Sequence, residues 1–299
     1  MKEGKGEGRT EGIRGLALWT VGPATAVLVV LFLLPLAIVG GYALSSAGSQ
    51  GEPALPATFA NFVRSFDPLY LGILVRSVRL AFICTLICLV VGFPLAWILR
   101  GMGTPARHLA LLAFILPSWT NLLVKNYAWI VLLRQEGVVN SALLRLGVIG
   151  EPLPLLFNEG AVLVGLVHTF LPFMVLPLYS SLEKLDPALL DAARDLGAGR
   201  WARLRKVVLP QCAPGAVAGA ILVFIPTLGS FVTPDLLGGA RGMMVGNLIQ
   251  NQMLVARDWP FGSALSIWLI AASLGMILLA GRLTGRGDTS RPGRASWLP

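Results

Sequence analysis

Apolar residues in this chain gather into six long runs separated by shorter polar stretches. The runs cover roughly 16–44, 72–99, 108–133, 160–181, 211–236 and 261–281. At 1.5 Å rise per residue, about 20 helical apolar residues cross a hydrocarbon layer about 30 Å thick, and each run meets that length. Arg76 and Arg79 interrupt the start of the second run, yet residues 80–99 carry no charge. Long basic side chains near a span end can reach the interface with their charged heads. The pattern predicts an all-α, polytopic membrane protein with six transmembrane helices. Its membrane domain covers 16–284, with tails at 1–15 and 285–299. Gly, Lys and Glu dominate 1–12, and Gly, Arg, Ser and Pro dominate 285–299, compositions expected to stay disordered.

The polar stretches carry further pattern. Residues 137–146 space Val138, Ala142 and Leu146 along one helical face, and 237–260 are again amphipathic with Gly and Pro at the flanks. Both are expected to form short helices at the membrane interface. The opening apolar run is longer than the roughly 7–15 residues of a secretory h-region, so it reads as an uncleaved first helix.

Composition agrees with the pattern. Of the 299 residues, 55% are hydrophobic and 13% charged, too little charge to cover a soluble domain of this size. The net charge is +9, but the basic residues lie between apolar runs, without one basic face or an RNA-binding motif. The expected partner is therefore the lipid bilayer and no nucleic acid. Six spans put both termini on one side with the loops at 100–107 and 182–210. That side holds sixteen of the twenty-four Lys and Arg, while acids divide eight to seven. By the positive-inside rule both termini are cytoplasmic. Cys84, Cys88 and Cys212 fall in or beside apolar runs and are odd in number, so disulfides are not expected. Cys84 and Cys88 share a helix face, but a metal site needs more ligands; all three read as small buried hydrophobes.

One stretch breaks the apolar pattern. Residues 191–210, DAARDLGAGRWARLRKVVLP, hold five basic and two acidic residues. Asp186 and Pro187 suit the N-cap and first position of a helix. Leu189, Ala193 and Leu196 then share a face, and Gly197 and Gly199 bracket a break. A second arm places Trp201, Leu204 and Val208 on one side, with Arg200, Arg203 and Lys206 largely on the other. This predicts a helix, a Gly turn and a second helix, each arm about ten residues, with Pro210 opening the fifth span. Arms this short are marginal alone and need a partner for their apolar face.

The stretch resembles the cytoplasmic signature of ABC importer permeases: Glu-Ala-Ala, three residues, Gly, nine residues, then Ile-x-Leu-Pro. Here it stands as Asp191, Ala192 and Ala193, then Gly197, then Val207, Val208, Leu209 and Pro210, with the spacing intact. Asp replaces Glu and Val replaces Ile. The resemblance implies a type I ABC importer permease fold whose loop at 182–210 forms coupling helices in a groove of a separate ATP-binding subunit. Asp191, Ala192, Ala193, Gly197, Arg200, Trp201, Leu204, Leu209 and Pro210 would make that coupling contact. No G-x-x-x-x-G-K-[ST] loop occurs; GKGEGRTEG near the start lacks the spacing. The chain is expected to be no enzyme and to hold no cofactor, with ATP and Mg used by the partner ATPase.

The likeness extends over roughly 15–282. LPSWTNLLVKNYAWIVLLRQEGVVN (116–140), FLPFMVLPLYSSLEKLDPALLDAARDLGA (170–198), FIPTLGSFVTPDLLGG (224–239) and VGNLIQNQMLVARDWPFGSALS (245–266) look like permeases of the spermidine/putrescine branch. The first of that branch's two permeases is the better match. This implies a bacterial inner membrane protein with a second related permease, two ATP-binding subunits and a periplasmic solute-binding protein as partners. The implied cargo is a small cationic solute, putrescine or spermidine; relatives that import iron, phosphonates or opines share these stretches less closely.

Polar and aromatic groups within the spans are the candidate pathway residues. Lys125, just after Pro117, is either a pathway or gate residue, or a lysine that snorkels outward or pairs with a carboxylate. Its charge would repel a polyamine. His168 is either pore-lining or a structural hydrogen-bonding group. Asp235 at the outer end of the fifth span either attracts a cation or caps the next turn. Tyr127, Trp129 and Phe231 could stack on an ammonium group or serve as interface anchors. An ion-coupled secondary transporter would need ionisable relays and inverted repeats, and only Lys125 and His168 qualify. A membrane-embedded enzyme lacks its motifs: neither H-E-x-x-H nor G-x-S-x-G occurs.

Overall fold

The computed structural model describes residues 7–48, 51–239 and 242–285. In chain order it has α1 (Glu7–Ala43), β1 (Ser45–Ala47), β2 (Pro53–Ala57), α2 (Ala60–Arg64), α3 (Pro68–Gly101) and α4 (Thr104–Ile115). Then come α5 (Leu122–Leu133), α6 (Val138–Arg145), α7 (Glu159–Glu183), α8 (Pro187–Asp195), α9 (Arg200–Arg203), α10 (Leu209–Leu228), α11 (Val232–Gly238), α12 (Val245–Gln250) and α13 (Trp259–Gly285). Among the described residues five helical stretches are long and apolar enough to cross a membrane: Thr25–Ala43, Pro68–Gly101, Glu159–Glu183, Arg200–Leu228 and Trp259–Arg282. The chain is therefore a polytopic helical membrane protein. Helices suit this role because every backbone polar group inside them is paired, as hydrocarbon requires.

Several helices start where the sequence supplies a cap. Asp67 accepts from Leu69 N at 2.9 Å with Pro68 following, and Asn158 accepts from Ala161 N at 3.0 Å. Asn121 accepts from Leu123 N at 2.8 Å, and Asp186 from Ala188 N at 2.9 Å. Each side chain satisfies one N–H that the helix itself leaves open.

Two expected runs are not single helices. Over 108–133, α4 runs into a 3₁₀ turn at Leu116–Trp119, and α5 leaves at a 93° bend. Thr120 and Asn121 are extended there, and the Asn121 cap starts a new helix instead of continuing the old one. Over 211–236, α10 stops at Leu228 with Gly229 as its cap, and α11 follows. Pro234 falls in the first turn of α11, where its missing N–H leaves no helical bond unmade. The first helix also begins earlier than expected, at Glu7, inside the stretch read as a tail. Residues 1–6 and 286–299, which make up most of the two expected tails, lie outside the described residues.

The chain forms two compact units. The larger comprises Phe66–Asn251 and the residues from Trp268 on. At its centre α3, α7 and α10 pack together, burying Leu80, Cys84, Cys88, Val175, Leu178, Leu182, Cys212 and Val223. The three cysteines are thus free and buried, as the apolar runs suggest. Close approach of α10 to α7 depends on Gly215, where a Cβ would collide with the Pro177 carbonyl and Ser181. The stretch over 237–260, expected as an outer interfacial helix, is partly interior instead. Met244, Val245, Asn247 and Leu248 are buried, because Ser77 Oγ accepts from Val245 N at 2.8 Å and Asn247 Nδ2 donates to Phe231 O at 2.7 Å. Helix α6 does form, with Val138 and Leu146 exposed and Asn140 buried. Asn140 donates to Leu153 O at 2.9 Å and accepts from Leu153 N at 3.0 Å, which pins the loop after α6.

The smaller unit comprises the residues up to Ser65 and Gln252–Ile267. It holds the one departure from an all-helical chain among the described residues: β1 and β2 pair antiparallel, with Ser46 opposite Ala54. Buried Asn61 donates to Ala43 O at 3.1 Å and Ser45 O at 2.8 Å, and so ties α2 to the ribbon. Arg64 pairs with Asp258 at 2.6 Å and lies over the Phe261 ring at 4.1 Å. These strands, of three and five residues, are too short to show a periodic signal.

Candidate functional site

The charged segment folds as a helix, a tight turn and a second helix, all within the larger unit. Leu185 is buried ahead of α8, and Leu190 packs on the core. The end of α8 is closed by backbone bonds alone: Gly197 N donates to Arg194 O at 2.9 Å and Ala198 N to Ala193 O at 2.9 Å. Both belong to the Schellman motif, which needs a left-handed residue at this point, and Gly197 has φ +77°. No atom lies within 4 Å of a Cβ built there, so the demand for glycine is one of backbone conformation and not of space.

The second arm differs from expectation. It is not a separate ten-residue helix but the start of one apolar stretch running through Arg200–Leu228. A π turn at Leu204–Val208 joins α9 to α10, and Leu209 N donates to Leu204 O. Pro210 supplies the cause: it has no N–H to give the preceding turn, and a widened turn accommodates the missing bond. Pro210 therefore lies inside the stretch and does not begin it.

The two arms bury their faces unequally. Leu204 and Val207 pack on the core and Val208 is buried, whereas Trp201 is 82% exposed. The expected face of Trp201, Leu204 and Val208 is thus covered only in part, because Trp201 lies at the start of the arm, one turn before Leu204 and beyond the edge of the core. Leu196, expected inward with Leu189 and Ala193, is 88% exposed. Leu189 is exposed and Ala193 half-buried, while Asp191, Ala192, Arg200, Leu209 and Pro210 are exposed. The result is a blunt tip carrying two large apolar side chains, Leu196 and Trp201, that no described residue covers.

The base of the segment is held by groups the sequence reading passed over. Arg100 Nη2 donates to Leu185 O at 3.0 Å, joining the end of α3 to the start of α8. Arg107 of α4 pairs with Glu183 at 3.7 Å, and Tyr179 Oη donates to the same carboxylate at 3.0 Å. Their only sequence signal is a charge at the end of each apolar run.

The candidate pathway residues are only partly brought together. Trp129 Nε1 donates to His168 Nδ1 at 3.1 Å, with ring centroids 5.8 Å apart at 76°. Lys125 stands one turn before Trp129 on α5 and donates to Ser118 O at 3.4 Å, across the bend. Among the described residues it has no carboxylate partner. Tyr127 and Phe231 are exposed and make no ring contact among the described residues. Asp235 is exposed in the first turn of α11 and is not the cap of the next helix; its N–H donates to Phe231 O at 3.0 Å. The sequence reading missed Asn126, only 1% exposed, whose Nδ2 donates to Thr233 Oγ1 at 3.2 Å and links α5 to α11. An amide inside an apolar run was the available signal. Near α6 a cavity of about 470 Å³ is lined by Arg134, Gln135, Glu136, Pro154, Leu156 and Phe157, among others.

Comparison with known proteins gives a consistent result. The model of the family "Binding-protein-dependent transport system inner membrane component" matches residues 69–286. The chain is 43% identical to the spermidine/putrescine transport system permease protein PotB of Escherichia coli (strain K12), over 84% of this chain and 91% of that protein. It is 42% identical to the PotB protein of Haemophilus influenzae, over 81% and 85% of the two chains. Among solved structures, a bacterial ABC transporter that imports the acidic polysaccharide alginate superposes with a TM-score of 0.74 at 17% identity. That match covers 93% of this chain and 98% of the other, a likeness of fold alone.

Proposed function

The chain belongs to the family of binding-protein-dependent transport system inner membrane components, and from that premise we propose that it is one of two related permeases of a polyamine importer. As a family member it is the membrane-spanning subunit of an ABC importer, moving a solute with a partner permease, ATPase subunits and a periplasmic binding protein. It carries no nucleotide-binding motif of its own. The bent pair of α4 and α5 counts as one crossing, which gives six spans with both termini cytoplasmic. The excess of Lys and Arg on that side supports this sidedness.

The observation that carries the mechanism is the exposed pair Leu196 and Trp201 at the tip of a hairpin continuous with the fifth span. The tip docks in the ATPase subunit, with Asp191, Ala192, Ala193, Gly197, Arg200, Leu204, Leu209 and Pro210 shaping or flanking the contact. ATPase closure moves the tip. The backbone-locked turn, the continuous second arm and the Arg100 and Glu183 ties convert that movement into a rigid shift of the spans. Alternating access follows from the shift.

The polyamine assignment rests on likeness to the PotB proteins and on the chemistry of the path. Tyr127, Trp129 and Phe231 offer aromatic faces to an ammonium group, and Asp235 offers a carboxylate at one end. Lys125 and His168 line the path without touching the cation. Uptake of labelled putrescine by proteoliposomes of the full complex tests the assignment. Competition by spermidine and putrescine is expected. Competition by a phosphonate or ferric chelate, with none by polyamines, would reassign the cargo.

A further inference from the structure

Between the end of α3 and the second arm lies a cavity of about 280 Å³, lined by Trp97, Leu190, Arg200, Arg203, Leu204 and Val208. It is distinct from the tip, since neither Leu196 nor Trp201 lines it. Its chemistry is divided. Leu190, Leu204 and buried Val208 form an apolar wall, while two guanidinium groups supply positive charge. Arg203 Nε is buried and has no hydrogen-bond partner. A buried donor left open on a cation is costly, and an anionic acceptor would satisfy it. No carboxylate does so: among the described residues neither Arg200 nor Arg203 forms an ion pair, although Asp191 and Asp195 sit on the neighbouring α8. The Trp97 ring that lines the cavity is also approached by Arg100, whose guanidinium lies 5.6 Å from its centroid.

We propose that this cavity binds the phosphodiester headgroup of an anionic phospholipid from the cytoplasmic leaflet. The inference rests on the reading of the loop at 182–210 as cytoplasmic. The level of the cavity along α3 favours a lipid over an acidic side chain of the ATPase. Trp97 stands one turn from the end of a membrane-spanning helix, the level at which aromatic rings meet headgroups. Basic pockets between spans on the cytoplasmic side suit such headgroups, and the apolar wall takes the start of an acyl chain. The lipid would brace the second arm against α3 and leave the tip, with Leu196 and Trp201, to the ATPase.

Native mass spectrometry of the complete importer, purified in mild detergent from membranes containing phosphatidylglycerol and phosphatidylethanolamine, tests this. Wild-type complex is expected to retain phosphatidylglycerol in preference to the zwitterionic lipid. Arg203→Gln should lower that retention about fivefold, the scale of one basic contact near an anionic surface. Arg203→Lys should restore part of it, and the ATPase subunit should stay bound throughout. Equal retention of the two lipids, or no change in Arg203→Gln, overturns the proposal. So does loss of the ATPase with lipid kept, which would make the cavity a protein contact, or full displacement of lipid by millimolar inorganic phosphate. If Arg203→Gln fails to accumulate, wild-type complex equilibrated with mixed phosphatidylglycerol and phosphatidylcholine micelles decides the matter by enrichment or equal partition. A wild-type complex that enriches phosphatidylglycerol yet never binds the ATPase would refute the coupling reading and leave the lipid site standing.

Discussion

Gly197 shows what a single residue contributes here. Its left-handed backbone closes α8, and its surroundings are open, so a larger side chain meets strain and not collision. Gly197→Val should cost about 1–2 kcal/mol locally, because a β-branched residue disfavours that conformation. The turn would reopen, and Leu196 and Trp201 would lose their fixed spacing. We expect membrane insertion to continue while substrate-stimulated ATP hydrolysis and uptake separate; coupled uptake at the wild-type rate would rule out this role. The glycine break between two amphipathic arms made this residue legible in advance, whereas the exposure of Trp201 was not. Helical periodicity gives the face of Trp201 but not how far along the arm the core extends.

At the scale of elements, breaks matter as much as helices. The bend between α4 and α5 and the stop after α10 let α11 reach α5, where Asn126 bonds Thr233. Both breaks were written in the sequence, as Asn121 after Pro117 and as Gly229 before Pro234, but hydropathy outweighed them in a reading by runs. Asn126→Ala removes the shared bond and leaves a buried hydroxyl. The expected loss is about 0.5–1.5 kcal/mol, the range for interhelical polar bonds inside membranes. It would be read as a lower Tm of the detergent-solubilised complex. Thr233→Val made alongside should add little further, since the two share one interaction.

For the whole molecule, the polytopic helical character was legible because bilayer thickness is a one-dimensional constraint. The β1–β2 ribbon and the burial of 244–248 were not, because each depends on distant partners such as Ser77 and Asn61. Sidedness itself can be measured. The native cysteines are buried, so Leu196→Cys should be the one thiol that labels readily. A membrane-impermeant maleimide should reach it in inside-out vesicles and not in spheroplasts, and bound ATPase should shield it. Labelling from the periplasmic face would invert the topology.

The open space around Gly197 has one more consequence. What this position demands is handedness, not smallness. A mirror-image alanine introduced there by semisynthesis would find the same left-handed torsion comfortable and would stiffen the chain where glycine leaves it loose. An importer so altered should keep its stroke while a natural L-alanine at the same place would blunt it.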